Sequence, residues 1–323
     1  MGKIYHKPYR MNEKKPYNLS AIGFGGLTIS GVWGTTDDST SIKAIHEAIA
    51  EGINWIDTSP IYGIGHSEHI IGEAIKGKRN KIIIATKCGL YLGEDGKAKR
   101  NLKPEFIFQD IDRSLQRLNV SEIDLYQCHW PDPETPIEET WEAMRELVKK
   151  GKVKEIGICN FNVTLLERIQ KIHPAYSIQI PYNIIRREHE KEIIPFCVDN
   201  NIKVLAYSPL HLGLLSGNYN PTLLSHNDRR LKAQEWGNPE EVDRYLSFIE
   251  KIRPIAQAKN INVVQLVIAW LLNAGCVSSI ICGMRTSLHV SQNIKAIAVT
   301  LSRDEMELLD FSRQTFSAHL LSL

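Results

Sequence analysis

The sequence predicts an α/β fold, a single (β/α)8 TIM barrel over residues 1–323 with a long loop after strand seven. Eight short runs of β-branched and aliphatic residues recur along the chain, and each is followed by a longer pattern of helical periodicity. The runs are apolar almost throughout, as parallel strands buried on both faces require. Eight strands that alternate with helices favour closure into a barrel, because an open doubly wound sheet usually has fewer.

The elements follow one another without a linker, a tandem repeat or a low-complexity tract. The predicted strands are Ala21–Gly25, Ile53–Asp57, Lys81–Thr86, Ile123–Cys128, Val153–Cys159, Tyr176–Pro181, Ile202–Tyr207 and Ser278–Cys282. The predicted helices are Thr40–Glu51, Ser67–Lys76, Pro104–Leu118, Pro136–Lys150, Thr164–Lys171, Glu190–Asn200, Val263–Asn273, Ser287–Ala296 and Arg303–Arg313. The stretch His211–Pro239 is long and irregular, and we expect such a loop in a compact domain to be functional.

Composition and charge limit the possible partners. The chain has 43% hydrophobic and 24% charged residues and a formal net charge of +2, with no basic stripe. Nucleic acid is therefore not an expected partner. The longest apolar run, Val263–Leu272, is far shorter than a bilayer requires, so no membrane association is expected. No obligatory protein partner is evident.

The cysteines indicate a reducing environment. They lie at positions 88, 128, 159, 197, 276 and 282, with no closely spaced pair. Scattered thiols and a polar amino terminus favour a cytoplasmic location. Since consecutive strand residues point to opposite faces, Cys88 and Cys128 should face the helices, and we expect no metal site.

Ionisable side chains stand at the ends of three successive strands. The second strand ends in Asp57, within the segment IDTSPIY that also carries Tyr62, the third in Lys87 and the fourth in His129. Taken singly, each has a structural explanation: a turn-forming aspartate, a solvated lysine, a structural histidine, a tyrosine in a pocket wall. Because active sites of such barrels lie at the carboxyl ends of the strands, the four should converge.

The combination suits proton donation to a carbonyl oxygen. Tyrosine is a weak acid, with a reference pKa of about 10. A buried Lys87 ammonium should lower the pKa of Tyr62, while Asp57 holds Lys87 charged. His129 can donate a hydrogen bond to the same substrate oxygen.

These four residues resemble the catalytic tetrad of the aldo-keto reductases, in the order of that family. The resemblance extends from GFGG at 23–26 to QNIKA at 292–296 and is closest to the bacterial general-stress-type branch. It implies an NADP-dependent oxidoreductase that reduces small carbonyl compounds.

The resemblance also implies the contacts of an NADPH cofactor. Asn160 and Gln179 match the amides that bind the carboxamide, and Tyr207 matches the aromatic ring that stacks on the nicotinamide. The segment that lines the pyrophosphate corresponds to Ser208, Pro209, Leu210, Leu214 and Gly217. The adenosine end corresponds to Gly283, Arg285, Thr286, His289, Gln292 and Asn293, with Arg285 meeting the 2′-phosphate. Two of these depart from the family pattern: His289 replaces a usual Gln or Arg, and Gln292 replaces a common Glu.

Three further features of the sequence bear on ligands. The segment GFGGLT lacks the third glycine of a Rossmann fingerprint, so Gly25 and Gly26 are interpreted as a strand exit that passes close to the cofactor. Trp33 and Trp130, with Tyr62, are candidates for an aromatic wall of the substrate pocket, or else pack in the core. Arg186 and Arg187 could attract an anionic substrate, but we expect a solvated pair.

Two other functions remain open from the sequence. A cofactor-binding regulatory subunit of the potassium-channel β-subunit type would resemble the same barrel. An aldolase could form a Schiff base on Lys87. The favoured prediction is NADPH-dependent reduction of aldehydes and ketones, with Tyr62 as general acid.

Overall fold

The computed structural model describes residues 18–34, 37–220, 222, 224, 226 and 228–318. The polar amino-terminal residues 1–17 and positions 221, 223, 225 and 227 of the expected long loop lie outside the described residues. In the described ranges, eight parallel strands close into a barrel that is surrounded by helices. The predicted fold class is confirmed.

The strands are β1 (Ile22–Gly25), β2 (Trp55–Asp57), β3 (Ile83–Cys88), β4 (Leu90–Leu92), β5 (Ala98–Arg100), β6 (Ile123–Cys128), β7 (Val153–Cys159), β8 (Ser177–Pro181), β9 (Lys203–Tyr207) and β10 (Ser279–Gly283). The barrel order is β1-β10-β9-β8-β7-β6-β3-β2, and β4 pairs with β5 in a separate antiparallel hairpin. The helices are α1 (Asp38–Ala50), α2 (His66–Ala74), α3 (Pro104–Leu118), α4 (Ile137–Lys149), α5 (Val163–Gln170), α6 (Ile193–Asp199), α7 (Gln234–Gly237), α8 (Pro239–Ala258), α9 (Val263–Asn273), α10 (Ser287–Ile294) and α11 (Arg303–Ala318).

Two elements were missed by the sequence prediction. The first is α8, whose start carries clear signals: the Asn238 side chain accepts a hydrogen bond from the backbone of Glu240, and Pro239 occupies the first turn. Pro254 lies inside this helix and argues against it locally. The second is the β4–β5 hairpin, whose strands are only three residues long and whose second strand is fully exposed, so that it shows no hydrophobic alternation.

The long connection after β9 is less irregular than expected. It contains 3₁₀ turns at His211–Ser216 and Arg229–Lys232, followed by α7. Three consecutive residues, His211, Leu212 and Gly213, have φ angles of 46°, 56° and 98°. Left-handed backbone is uncommon outside glycine, so this segment is tightly specified by its surroundings.

The barrel interior is filled with side chains below its carboxyl end. Leu19 enters from the amino-terminal side and packs with Trp55, Tyr176 and Leu205. The Trp55 indole N–H donates to Ser279 Oγ at 3.0 Å, which satisfies its one polar atom in the buried interior. Ligand space is therefore left at the opposite end of the barrel, where the strands finish.

Of the helices within the described ranges, none alone is long and apolar enough to cross a membrane. The pair α8 and α9, bent by 86° at their junction, reaches that length and apolarity only together.

The contact between α2 and α3 generates a stability prediction. A Cβ atom at Gly72 would lie 2.7 Å from the backbone oxygen of Leu118. Although alanine normally favours a helix over glycine, this clash is with backbone and cannot be relieved by a side-chain rotation. We expect Gly72→Ala to lower the free energy of unfolding by about 1–3 kcal/mol, measured by urea denaturation.

Gly237→Ala is the matched control, because Gly237 is also helical and a Cβ there would meet nothing within 4 Å. Its unfolding free energy should stay within about 0.5 kcal/mol of the parent value. A Gly72→Ala protein as stable as this control would show that the α2–α3 contact is loose.

Candidate active site

A cavity of about 550 Å³ opens at the carboxyl ends of the barrel strands. This volume lies in the range of ordinary small-molecule sites, about 300–1,000 Å³. Most of the site residues predicted from the sequence line it: Gly25, Trp33, Asp57, Tyr62, Lys87, His129, Trp130, Asn160, Gln179, Tyr207, Ser208, Pro209, Leu210 and Gly283.

Lys87 and Asp57 form a buried ion pair at the base of the cavity. Their strands are neighbours, since β2 pairs with β3 and Asp57 stands opposite Ala85. Lys87 Nζ donates to Asp57 Oδ2 at 2.7 Å, to the carbonyl oxygen of Thr58 at 2.9 Å and to Tyr62 Oη at 3.3 Å. An ammonium has three protons, so every donor of Lys87 is used within the site.

The turn after β2 carries the Tyr62 hydroxyl back over the strand end. The backbone N–H of Tyr62 donates to the carbonyl oxygen of Ser59 at 3.0 Å. The next three residues, Gly63, Ile64 and Gly65, have φ angles of 63°, 55° and 88°. Positive φ is costly for the β-branched Ile64, so the turn must be held by its contacts with the barrel.

His129 faces Tyr62 across the cavity. Their rings are 5.9 Å apart between centroids, at an angle of 80°. The backbone N–H of His129 donates to Cys88 O at 3.0 Å, which continues the β3–β6 ladder. The ring atom Nδ1 lies 3.1 Å from Ser59 Oγ. The convergence of Asp57, Tyr62, Lys87 and His129 at one end of the barrel is what the strand-end positions predict.

The pKa values of the lysine and the tyrosine are both raised. Burial opposes the charge of Lys87, but Asp57, Tyr62 and Cys159 together exceed this effect and raise the pKa of the ammonium. Burial raises the pKa of Tyr62, and the attraction of Lys87, which lowers it, does not compensate. The expected net lowering of the Tyr62 pKa is therefore wrong in sign. In this structure Tyr62 retains its proton more firmly than a free phenol.

The side-chain amides that border this group are already hydrogen-bonded. Gln179 Nε2 donates to the second carboxylate oxygen of Asp57. Asn160 Nδ2 donates to the carbonyl oxygen of His129 at 3.0 Å, and Asn160 Oδ1 accepts from Tyr207 Oη at 2.8 Å. The two amides thus support Asp57 and His129 directly.

Other predicted cofactor residues lie away from the cavity. A Cβ at Gly26 would be 2.6 Å from Ser67 Oγ, so Gly26 packs against α2. Leu214 is buried in the core, and a Cβ at Gly217 would lie 3.0 Å from Ile249 Cγ2. Leu214 and Gly217 lie in the loop that carries Ser208, Pro209 and Leu210, and a direct contact of Gly26, Leu214 or Gly217 with cofactor remains a prediction.

The adenosine-end residues lie just before and along α10. Thr286 caps this helix, with its hydroxyl accepting from the backbone of His289 at 3.4 Å. Arg285 Nη1 donates to the carbonyl oxygen of Trp33 at 3.2 Å. The carbonyl oxygen of Gln292 accepts from the Gln265 side chain at 3.1 Å, and Asn293 is buried. None of these five lines the cavity within the part of the chain that the structure describes.

A cation links two loops beside the cavity, which the sequence did not predict. The guanidinium of Arg230 lies 5.0 Å from the centre of the Trp33 ring and 4.9 Å from that of Trp236. Asp228 accepts two hydrogen bonds from the same guanidinium, at 2.9 and 2.6 Å. Trp33 therefore both lines the cavity and joins the loop after β1 to the loop after β9.

The β4–β5 hairpin forms part of the cavity wall, which the sequence also did not predict. Leu90 and Ala98 line the cavity, and Arg100 stacks on Trp130 at 5.1 Å. Short, exposed strands carry little periodic signal, so no pattern in the sequence pointed to this wall.

Arg186 and Arg187 do not form the solvated pair that was expected. Arg186 is exposed and pairs with Glu188. Arg187 is only 9% exposed, pairs with Glu190 at 2.6 Å and stacks on Trp270. Arg187 thus anchors structure and is not available to a substrate.

All six cysteines are buried free thiols. Cys88 Sγ lies 3.8 Å from Met144 Sδ, on the helix side of the barrel, as its strand position predicts. Cys159 lines the cavity, and burial raises its pKa. Across the described ranges, no three His, Cys, Asp or Glu side chains are grouped to hold a metal ion.

Comparison with known proteins identifies the family. The model of the Aldo/keto reductase family matches residues 21–313. Aldo-keto reductase YhdN of Bacillus subtilis is 38% identical over 258 residues, 79% of this chain and 78% of that protein. The NADH-specific methylglyoxal reductase of Escherichia coli is 33% identical over 307 residues, 90% of this chain and 94% of that protein.

Structural similarity agrees with the sequence match. The glycerol dehydrogenase AKR11B4 from Gluconobacter oxydans superposes with a TM-score of 0.85 at 34% identity, covering 95% of this chain and 94% of that one. The matches span nearly the whole barrel and the cavity at its mouth. The chain therefore belongs to the aldo/keto reductase family of oxidoreductases.

Proposed function

We propose that this protein reduces aldehydes and ketones to alcohols with NADPH, and that Tyr62 donates the proton. The observation that carries the proposal is the contact between Lys87, Tyr62 and Asp57 at the mouth of the barrel, with His129 facing the phenol. A bound nicotinamide supplies the hydride to the carbonyl carbon. The chain supplies the proton to the carbonyl oxygen, so that one hydride and one proton give the alcohol.

Tyr62 suits this role because its raised pKa keeps the proton in place until charge develops on the substrate. When the carbonyl oxygen becomes negative, the proton moves from the phenol to that oxygen. The Lys87 ammonium, 3.3 Å from the phenol oxygen, then stabilises the phenolate that remains. His129 orients the same substrate oxygen with a hydrogen bond.

The residues around the cavity fit a nicotinamide cofactor. The half-buried Tyr207 offers an aromatic face, Gln179 offers an amide group on the neighbouring strand β8, and Asn160 offers another just after β7. Left-handed backbone at 211–213 bends the chain sharply where Leu212 and Gly213 line the cavity. Lys232 lines the same end of the cavity and adds positive charge for the phosphates, whereas the charge of Arg230 is paired with Asp228.

The preference for NADPH rests on Arg285 at the start of α10. A guanidinium beside a helix amino terminus is well suited to a phosphate, because the planar donors and the helix dipole both favour a dianion. The family alone does not decide the cofactor, since the Escherichia coli relative is named as NADH-specific. We propose that Arg285 meets the 2′-phosphate, with Thr286 and His289 beside it.

The substrate pocket favours uncharged, apolar carbonyl compounds. Its walls near Tyr62 include Val32, Ile61, Leu90 and Trp130. The charges of Lys87 and Asp57 neutralise each other, so this pair offers no net charge to an ionic substrate. We propose small hydrophobic aldehydes and ketones as the substrate class.

An aldolase that uses Lys87 as nucleophile is disfavoured. Schiff-base formation requires a neutral amine, whereas Asp57 raises the pKa of Lys87 and all three of its protons are hydrogen-bonded. The intact arrangement of Tyr62, Lys87 and His129 favours an enzyme over a purely regulatory, channel-subunit role. Hydride transfer by the purified protein decides between enzyme and regulatory subunit.

Removing the Tyr62 hydroxyl tests the proposed acid. General acid catalysis contributes typically about 10²- to 10⁴-fold, so Tyr62→Phe should lower kcat by at least about 100-fold. NADPH affinity should change little, since the ring remains. The measurement is single-turnover reduction of an aromatic aldehyde, with NADPH binding followed separately by fluorescence.

Tyr126→Phe is the matched control. The Tyr126 hydroxyl is also buried, but Tyr126 lies outside the cavity lining. This variant should reduce the aldehyde at the parent rate. A Tyr62→Phe enzyme with that same rate would show that Tyr62 is not the acid.

Replacing Arg285 tests the cofactor preference. Losing a charge-assisted contact to the 2′-phosphate should weaken NADPH binding on the order of 10- to 100-fold. NADH lacks this phosphate, so its Kd should be nearly unchanged in Arg285→Ala. Both constants are measured by fluorescence titration.

The control here is Arg303→Ala, since Arg303 is 82% exposed on α11 and pairs only with a neighbour on the same helix in the described structure. It should leave both Kd values at the parent level. An unchanged ratio of NADPH to NADH affinity in Arg285→Ala would remove Arg285 from the phosphate site.

The raised pKa of Tyr62 predicts opposite pH profiles for the two reaction directions. Reduction needs the protonated phenol, which persists above its usual pKa of about 10, so single-turnover reduction should be flat from about pH 6 to 9. Alcohol oxidation needs the phenolate, whose fraction rises about tenfold per pH unit in this range. A reduction rate that falls with a midpoint below about pH 9 would contradict the assignment.

A further inference from the structure

We propose that Ser59 is a positioning residue that holds the His129 imidazole in the tautomer with its proton on Nε2. This inference rests on the proposed carbonyl reduction, in which His129 must donate a hydrogen bond to the substrate oxygen. Ser59 lies two residues after Asp57, in the turn that leads to Tyr62.

The geometry places Ser59 between the two groups that face the substrate. Its side chain is fully buried, and its hydroxyl oxygen lies 3.1 Å from His129 Nδ1. Its backbone oxygen accepts the N–H of Tyr62 at 3.0 Å. One residue thus contacts the ring of His129 and fixes the start of the Tyr62 turn.

The burial of the hydroxyl decides which partner donates. A neutral imidazole has one N–H and one acceptor nitrogen, whereas a serine hydroxyl can donate or accept. Within the described ranges, the Ser59 hydroxyl has the His129 ring as its one hydrogen-bond partner. If Nδ1 carried the proton, the buried hydroxyl hydrogen would have no acceptor among these residues, which is unfavourable in a site closed to water.

Donation by Ser59 to Nδ1 therefore leaves the ring proton on Nε2. The opposite tautomer would present a lone pair at Nε2, which repels a carbonyl oxygen instead of binding it. The hydrogen bond also restrains rotation of the ring about its Cβ–Cγ bond. The backbone of His129 is held independently, by Cys88 O and the Asn160 side chain. Ser59 consequently acts on the ring and not on the strand.

Ser59→Ala tests this role through two measurements. The loss of one hydrogen bond that fixes the donor should lower kcat for aldehyde reduction about 3- to 10-fold, with the Kd for NADPH unchanged. Nitrogen-15 NMR of the imidazole should show the His129 proton on Nε2 in the parent protein and a mixture of tautomers in Ser59→Ala. The His129 signals are assigned by their absence in His129→Asn.

Two controls separate positioning from stability. Ser279→Ala also removes a buried, hydrogen-bonded hydroxyl, at the opposite end of the barrel, and should leave both kcat and the His129 tautomer unchanged. Ser59→Thr retains the hydroxyl and should restore the Nε2 tautomer and most of the kcat.

Either of two results would overturn the proposal: a parent protein with the His129 proton on Nδ1, or a Ser59→Ala protein with the parent tautomer and the parent kcat. The NMR measurement needs no turnover, and it needs the His129→Asn variant only to assign the signals. It therefore remains decisive for Ser59 even if the parent protein transfers no hydride and the proposed reduction itself fails.

Discussion

Lys87 and Asp57 carry opposite charges in a place that water scarcely reaches, with side-chain exposures of 2% and 4%. Burying two ions costs several kcal/mol each unless close contact and further hydrogen bonds offset it. Here the offset comes from the 2.7 Å pair, from the Thr58 carbonyl and from the Gln179 amide. Those partners come from β2, β3 and β8, so the ion pair is satisfied only when the barrel is closed.

The same pair governs the chemistry of the cavity. Because Asp57 keeps Lys87 charged, the lysine acts as a fixed cation next to the phenol and not as a nucleophile. Burial meanwhile opposes ionisation of Tyr62, and the lysine moderates that effect without reversing it. The resting site is thus a neutral phenol beside a neutralised ion pair, which becomes a better electrostatic match once negative charge forms on the phenol.

Much of this site was predictable because the carboxyl ends of parallel strands in a closed barrel all lie at the same end of the barrel. Asp57 ends β2, Lys87 is the last but one residue of β3 and His129 directly follows β6, and local sequence was enough to locate those ends. The Arg230 stack between Trp33 and Trp236 was not predictable, since it joins loops about 200 positions apart with no periodic pattern.

The sign of the Tyr62 pKa shift also escaped prediction. It depends on how completely the surrounding chain excludes water from the phenol, and the sequence alone does not reveal this. Helix α8 was also missed. Asn238 and Pro239 signal its start clearly, but Pro254, near its other end, argues against a helix there.

Cys88 and Cys128 stand directly opposite each other in the β3–β6 ladder, one residue away from Lys87 and His129. They face the helices, where they are fully packed, and neither reaches the cavity. At each of these two strand ends, a thiol in the outer packing layer and a polar group of the site belong to adjacent residues. The pairs are Lys87 with Cys88 on β3, and Cys128 with His129 at the end of β6. Because close-packed interiors transmit changes in side-chain volume, the packing behind the sheet is coupled to the alignment of the polar groups in the cavity.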